Sequence, residues 1–420
     1  MGVVGAGISG LVCARRLLDL AATSSKKQQS LKVSVFEWGR GPGGRTARRR
    51  VEIPKRGKVV GGHPVDEVSF DHAAPYFSAR TAEFREGLLA QWEARGLCSR
   101  WAAAAAVDGK REESEEELWI GQPSNHAIAK ALVADVVASG GEMYFGHHVR
   151  AVTYDDDESV WRLRATSRAD GAEKLLSFDA LVLSDKLLIL PNVYAVLDPG
   201  SLGEELRKVP ADLSSRGAIV LLAAFAETDI SPSTSTPPPT HTSPSPPSSA
   251  SCAPLQRFAP GQHSFVERII HDSSKPGRGG NGYDLWVVHS TAAYAESHLV
   301  GEELDDAEAV KEEMIQALLE AIDDSAGDGA PRCGMMPQKE EQQQQQQGRC
   351  RQQLVYASVM AWDHSQPDDA KRLPVPHLFE TRRRIGACGD FLQGGGRAEG
   401  VEAAALSGLS LAGALGEVLR

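Results

Sequence analysis

The sequence predicts an α/β chain: a Rossmann-like dinucleotide-binding domain with a parallel sheet and a β-meander, plus a second α+β domain on a mixed sheet. Three observations carry that expectation. A glycine turn, Gly5-Ala6-Gly7-Ile8-Ser9-Gly10, stands between a short apolar run and an amphipathic stretch. An acidic residue, Glu37, closes the next apolar run. Near the far end a second apolar run finishes at Gly389-Asp390 and leads into a pattern of small and apolar residues from Gly400 to Leu419, read as a helix.

Taken in order, Val3 and Val4 form an opening strand, and Leu11, Ala14, Leu18 and Ala21 recur on one face of a first helix. A buried strand usually needs about five or six residues, so either this one is short or the native chain begins further upstream, where a targeting peptide would lie. A polar link from Thr23 to Ser30 leads to a strand ending at Glu37. Ser124 is the expected N-cap of a helix with Ile128, Leu132 and Val136 inward, stopped at Gly140-Gly141. Three strand-like segments follow, Met143 to Val152, Val160 to Thr166 and Phe178 to Ser184, with short polar connections that suggest a meander. Beyond them, Ile219 to Ala226, Leu285 to Ala292, an amphipathic helix from Asp306 to Ile322, and Leu354 to Met360 would build the second domain. The expected division is 1–80, 121–195 and 375–420 for the dinucleotide domain and 81–120 and 196–374 for the substrate domain. Two stretches of biased composition, 231–251 (Ser, Thr and Pro) and 339–348 (Gln-rich), are predicted to be disordered insertions, because they bury too little apolar surface to offset ordering entropy.

A 41% hydrophobic content over 420 residues suits a globular chain of two domains. The 45 basic and 56 acidic side chains leave −11, which repels nucleic acid and anionic membranes; the short basic runs Arg45 to Arg50 and Arg382 to Arg384 lie beside glycine motifs. The six cysteines form no CxxC pair and no cluster with histidine, so no metal site and a reducing compartment are expected. No run reaches the roughly eighteen uninterrupted apolar residues of a membrane helix, and no signal peptide is visible. The expectation is a soluble, intracellular protein of cytoplasm or organelle, with no integral membrane segment and an unassigned oligomeric state.

The glycines have separate duties. Gly5 permits the tight turn, Gly7 lets backbone amides approach a pyrophosphate, and Gly10 allows close helix–strand packing. Glu37, with Trp38 beside it, stands where a carboxylate accepts hydrogen bonds from the adenosine ribose and repels a 2′-phosphate, which favours FAD or NAD over NADP. A solvated strand-end carboxylate is the blander alternative. Gly41-Pro42-Gly43-Gly44-Arg45 then points to FAD, since an NAD-only unit has no need of a second glycine loop with a fixed cation. At the far end Asp390 could hold a ribityl hydroxyl or order water, and a helix beginning at Gly400-Val401-Glu402 could turn its amides and positive dipole toward a flavin. Ala404, Ala405, Gly408 and Ala412 would let that helix pack closely.

Together with Phe70-Asp71-His72-Ala73-Ala74-Pro75-Tyr76-Phe77 and Trp119-Ile120-Gly121-Gln122-Pro123, these motifs resemble the renalase-like branch of the FAD-dependent amine oxidase superfamily. The resemblance implies noncovalent FAD, a substrate domain on a mixed sheet, and oxidation of a small amine or reduced nicotinamide by hydride transfer to flavin N5, with molecular oxygen as acceptor. It also implies flavin contacts at Gly5, Gly7, Gly10, Glu37, Gly44, Arg45, Asp390 and Val401, and an adenine contact through the backbone of Val149. Ala6, Ile8, Ser9, Trp38, Gly43, Gly389 and Gly400 complete the expected cofactor set. Relatives usually carry Gly-Ala-Gln where Ala73-Ala74-Pro75 stands, and proline removes an amide donor and a side-chain amide. No cysteine lies between Leu354 and His364, where relatives with covalent flavin place theirs.

Catalytic residues are not identified by pattern. Tyr76, Trp286, Trp362 and His364 are candidates to face the flavin: Tyr76 and Trp362 could wall a pocket for a flat or cationic substrate, and His364 could act as a base. Such aromatics are more often core. Two other functions stay open: a carotenoid- or porphyrinogen-type dehydrogenase, and a non-catalytic FAD-binding redox sensor.

Overall fold

The computed structural model describes residues 1–23, 31–54, 65–102, 105–107, 110–111, 117–190, 196–201, 203, 206–208, 213, 215–226, 254–258, 263–279, 282–301, 303–325, 353–367, 372–392 and 398–419. The polar link up to Ser30, the two biased insertions and Gly394-Gly395-Gly396 lie outside the described residues.

A six-stranded sheet organises the glycine motifs, in the order Glu142–Phe145, Ser34–Glu37, Gly2–Val4, Leu181–Leu183, Ile385–Ala387 and Leu378–Glu380. The first five run parallel and only the Leu378–Glu380 edge is antiparallel. Alternation of side chains sends Val3, Val35 and Val182 to the face covered by the Ile8–Thr23 and Gly400–Val418 helices. Val4, Phe36, Leu181 and Leu183 point to the other face, onto the three-stranded meander. Both faces are therefore dry, as a parallel sheet requires. The opening strand is short, at three residues.

The meander is offset from its expected place. Its strands are His147–Asp155, Val160–Ser167 and Glu173–Phe178, while Glu142–Phe145 and Leu181–Leu183 belong to the parallel sheet. Gly146, at φ +66°, turns the chain out of one sheet and into the other, so Met143 to Val152 is two strands. In the first helix Leu17, not Ala21, completes the buried face. Ser124 is not the capping side chain either: the helix His126–Ala138 starts from Asn125, whose side chain is used elsewhere.

A second, seven-stranded sheet has the order Gln353–Pro367, Ser215–Ala226, Tyr283–Ser290, Val266–His271, Leu255–Arg257, Ala105–Val107 and Lys110–Arg111. It is mixed, with one parallel pairing between Leu255–Arg257 and Ala105–Val107. Ile219, Leu221, Ala223 and Phe225 face the helices Ala292–His298 and Ala307–Ser325. Val220, Leu222 and Ala224 face the hairpin Arg48–Pro54/Val65–Asp71 and Ile120. Gly400–Val418 is, among the described helices, the one long and apolar enough to cross a membrane by length and composition. Here it is a core helix: a Cβ on Gly408 would lie 2.3 Å from the Ser9 carbonyl, so the missing side chain is what lets it lie against the first helix.

Candidate functional site

The first glycine turn divides its labour as the spacing implies. Gly5 sits at φ +99°, and a Cβ there would fall 2.2 Å from Ser184 Oγ. A Cβ on Gly10 would meet the Gly5 carbonyl at 2.2 Å. Around Gly7 there is open space, with nothing within 4 Å of where a Cβ would stand. Ser9 Oγ donates to the Ser184 carbonyl at 3.0 Å, fixing the helix start to the neighbouring strand end.

Glu37 ties this turn down. Its Oε2 accepts the Ala6 amide at 2.8 Å and its Oε1 the Gly39 amide at 2.7 Å. The Ala6 carbonyl in turn accepts the Gly43 amide at 2.8 Å, so the two glycine loops are hydrogen-bonded to each other. Gly43 and Gly44 take φ of +116° and +53°, and a Cβ on Gly44 would stand 3.9 Å from Gly7 Cα.

Arg45 pairs with Asp390 through two parallel bonds of 2.6 Å. Burial opposes both charges, but each outweighs that penalty for the other: the Arg45 pKa is raised, and Asp390 is held below the usual carboxylate range, with Lys186 and Arg372 adding to the effect. Arg45, the fixed cation of the second glycine loop, and Asp390 are thus partners of each other, and both line the cavity described below.

The Arg45 carbonyl accepts the Ala74 amide at 3.1 Å, which joins the glycine loops to the segment from Asp71 to Phe77. Asn125 supports that segment, donating its side-chain amide to Ala74 O and its backbone amide to Asp71 at 3.2 Å. Asp71 pairs with Arg278, and Asp272 pairs with both Arg278 and Lys275, all four side chains buried. On the opposite side Glu402, fully buried in the first turn of the tail helix, accepts the amides of Arg80 and Thr81 at 2.9 and 2.7 Å and the Thr81 hydroxyl at 2.6 Å. Asn125, Arg278 and Glu402 were absent from the sequence-based set; a charged residue opening an otherwise apolar helix was the visible signal for Glu402.

These segments enclose a cavity of about 380 Å³. Gly7, Ile8 and Ser9 line it from the first turn, Gly43, Gly44 and Arg45 from the second. Gly389, Asp390, Gly400 and Val401 line it from the far end of the chain, and Tyr76 from the middle. Gly400 sits at φ +52° with open space around it, and Glu399 gives the helix no side-chain cap. Arg257, Glu267 and Arg268, which sequence reasoning did not select, also line the cavity.

Other expected residues lie off the cavity. Gly5, Ala6 and Gly10 shape the turn from behind. Glu37, Trp38 and Val149 stand outside the lining; Trp38 is 53% exposed, with its ring stacked 4.7 Å from His148, next to buried Val149. Trp362 and His364 do not line the cavity: Trp362 packs 5.3 Å from His72 in the core, and His364 pairs with Asp363 at 3.3 Å. Trp286 faces the helix side of the seven-stranded sheet, bonded to Asp284 and stacked on His271. Trp362 shares its sheet face with Tyr76 but packs into the core on that side, whereas Trp286 lies on the opposite, helix-covered face.

Comparison with known proteins agrees with this fold. Residues 3–90 match the model of the NAD(P)-binding Rossmann-like domain. No curated protein matches the chain in sequence. Among solved structures, a provisionally named protoporphyrinogen oxidase from Exiguobacterium sp. 255-15 shares 10% identity at a TM-score of 0.56, with 99% of this chain and 98% of that one covered. Aklavinone-11 hydroxylase, solved with FAD and aklavinone, shares 16% identity at a TM-score of 0.53, over 100% of this chain and 62% of the hydroxylase. The fold is thus a Rossmann-like dinucleotide-binding domain with a parallel sheet and additional antiparallel sheets, common to this chain and to a protein that holds FAD.

Proposed function

We propose that this protein is an FAD-dependent oxidoreductase acting on a small molecule. The observation that carries the proposal is the contrast among its glycines. Gly7 and Gly400, both on the cavity, have open space where a side chain would be, while Gly5 and Gly10 behind them have none. Backbone is bared to the cavity at two helix starts from opposite ends of the sequence. That arrangement suits an extended anionic ligand.

The residues fit FAD. The amides at the start of the Ile8–Thr23 helix would take the pyrophosphate, with Gly44 across from them. Glu37 keeps lone pairs for a ribose after accepting two amides, and Trp38 and the Val149 backbone flank the adenosine position. The start of the Gly400–Val418 helix would face the electron-rich edge of the ring. When bound, the flavin accepts a hydride from the substrate. The chain's own part is to position the two reactants and keep water out, with Tyr76 as one wall. The dinucleotide domain would be 1–80, 121–195 and 375–420, and the remainder the substrate domain. The renalase-like resemblance makes an amine or reduced nicotinamide the substrate class to test, with oxygen as acceptor and attachment noncovalent.

Purified protein is expected to be yellow with one FAD per chain, and the flavin to bleach anaerobically on titration with a panel of reduced nicotinamides and amines. A colourless protein that ignores added FAD would end the proposal; flavin that no donor reduces would leave binding without catalysis.

A further inference from the structure

The longest unbroken stretch of cavity wall belongs to neither large sheet. Ala73 to Ser78 line the cavity one after another, and between the strands Val65–Asp71 and Phe77–Ser78 the chain is neither helix nor strand. No ladder of backbone bonds fixes such a strap, so its place depends on what satisfies its few amides and carbonyls. Pro75 has no amide to give. Ala74 donates to the Arg45 carbonyl at 3.1 Å, and its own carbonyl accepts the Asn125 side-chain amide. The His72 carbonyl accepts a bond from His289 Nε2 at 2.7 Å, and the Tyr76 hydroxyl one from Arg268 at 3.4 Å. Beyond Ser78 the chain reaches Arg80 and Thr81, whose amides are held by Glu402 in the first turn of the tail helix. The strap thus spans the cavity from the second glycine loop to the start of that helix.

Asn125 anchors the strap from behind the wall. It is fully buried, does not line the cavity, and closes a circuit of bonds. Its side-chain oxygen accepts the Gly121 amide, and the Gly121 carbonyl accepts Arg278 Nη2 at 3.2 Å. Arg278 pairs with Asp71, and Asp71 accepts the Asn125 backbone amide at 3.2 Å. Gly121 makes the circuit possible: a Cβ there would lie 2.5 Å from the Ser124 carbonyl oxygen and 2.6 Å from Asn125 Cα. An asparagine at the start of a helix ordinarily turns its oxygen to the amides of the first turn. Asn125 makes no such bond to the helix His126–Ala138; its side-chain oxygen and nitrogen go to the Gly121 loop and the strap instead.

We infer that Asn125 is a positioning residue for the flavin: with Asp71 and Arg278 it sets where the strap stands against the ring. This rests on the oxidoreductase reading and deepens it, naming the buried side chain that fixes the ring's surroundings. Every member of the circuit is a protein group, so the wall is shaped ahead of binding and need not reorganise when charge develops on the ring. Removing the Asn125 side chain releases the Ala74 carbonyl and the Gly121 amide together. The strap can then shift at Ala74, while the glycine turns keep the bonds from the Ala6 amide to Glu37 and from the Gly43 amide to the Ala6 carbonyl.

The test uses full-length protein loaded with FAD and reads the midpoint potential of the bound flavin, which requires no substrate. Asn125→Ala should still hold one FAD per chain, because the glycine turns are untouched. Its ratio of affinities for oxidised and reduced flavin should change by at least about tenfold, a displacement of about 30 mV for a two-electron couple. Arg278→Lys keeps the charge facing Asp71 and loses the fork that also reaches Gly121, so it should move the potential in the same sense by less. Trp161→Phe, off the cavity, is the control: it removes the indole bond of 2.7 Å to the Arg383 carbonyl, and should lower the melting temperature with the potential unmoved. Asn125→Ala that melts early like the control but keeps the wild-type potential would overturn the inference. So would loss of FAD from folded Asn125→Ala, which would make Asn125 a residue that retains the cofactor rather than one that places its ring. Should neither variant fold, hydrogen exchange in the wild type decides: the amides of Ala74, Gly121 and Asn125 should be protected before FAD is added, and exchange there at the rate of an open chain would overturn the inference too. Wild-type protein that takes up no FAD ends the oxidoreductase reading itself, whatever the variants do.

Discussion

The two ends of the cavity are built on opposite principles. Where the glycine loops and the tail helix meet, the cavity is bordered by bared backbone, and Arg45 and Arg80 are paired with Asp390 and Glu399. On the wall made by the mixed sheet, side chains are presented instead, among them Arg257 and Arg268, the second paired with Glu267. A ligand with a fixed, extended shape can be gripped by amides that never move. A variable group is better read by long side chains that can adjust.

The largest test of this contrast compares two glycines three positions apart. Gly10→Val would drive Cβ into the Gly5 carbonyl, a backbone overlap with no room to yield, and should cost more than about 4 kcal/mol, seen as loss of soluble, cooperatively melting protein. Gly7→Val points into open space, so the FAD-free protein should melt close to wild type while FAD uptake is lost. If Gly7→Val retained full FAD, the glycine end would not be a backbone reader.

Next in size is Asp390→Asn, which leaves Arg45 without the carboxylate that offsets its burial and should cost about 3 kcal/mol by chemical denaturation. Arg80→Gln, at the half-exposed pair with Glu399, should cost less than about 1 kcal/mol. Equal losses would mean that burial does not separate the two pairs.

Acid should discriminate more gently. His72 is buried, its Nδ1 has no partner among the described residues, and burial followed by the charge of Arg49 lowers its pKa to about 4. Below about pH 6.5 the unfolded chain takes up a proton that the folded chain refuses, so stability is complete above that value and falls as pH drops toward 4. The loss from this group is on the order of 3 kcal/mol at pH 4. His289, whose Nε2 donates to the His72 carbonyl at 2.7 Å and whose pKa is lowered to about 3, extends the slope further. His72→Gln should flatten the decline between pH 6.5 and 4; an unaltered slope would show that the acid lability lies elsewhere.

What could be read from sequence follows from how each feature is encoded. The three duties of Gly5, Gly7 and Gly10 were legible because an absent side chain at fixed spacing is a local signal. The Arg45–Asp390 pair was not, because each residue has its own plausible ligand role and nothing local links positions 345 apart. The meander was displaced for a similar reason: Phe178 and Leu181 fall three residues apart in one strand-like segment but serve two sheets. On the substrate side, aromatic character favoured Trp362 and His364, whereas Arg257 and Arg268 line the cavity through a pairing of strands that no local pattern shows.

The tail helix lies on the first helix, and its start closes a cavity opened by residues almost four hundred positions earlier. The cavity is therefore complete only when the Gly400–Val418 helix is docked on the first helix, and undocking that one helix would open it along its whole far side.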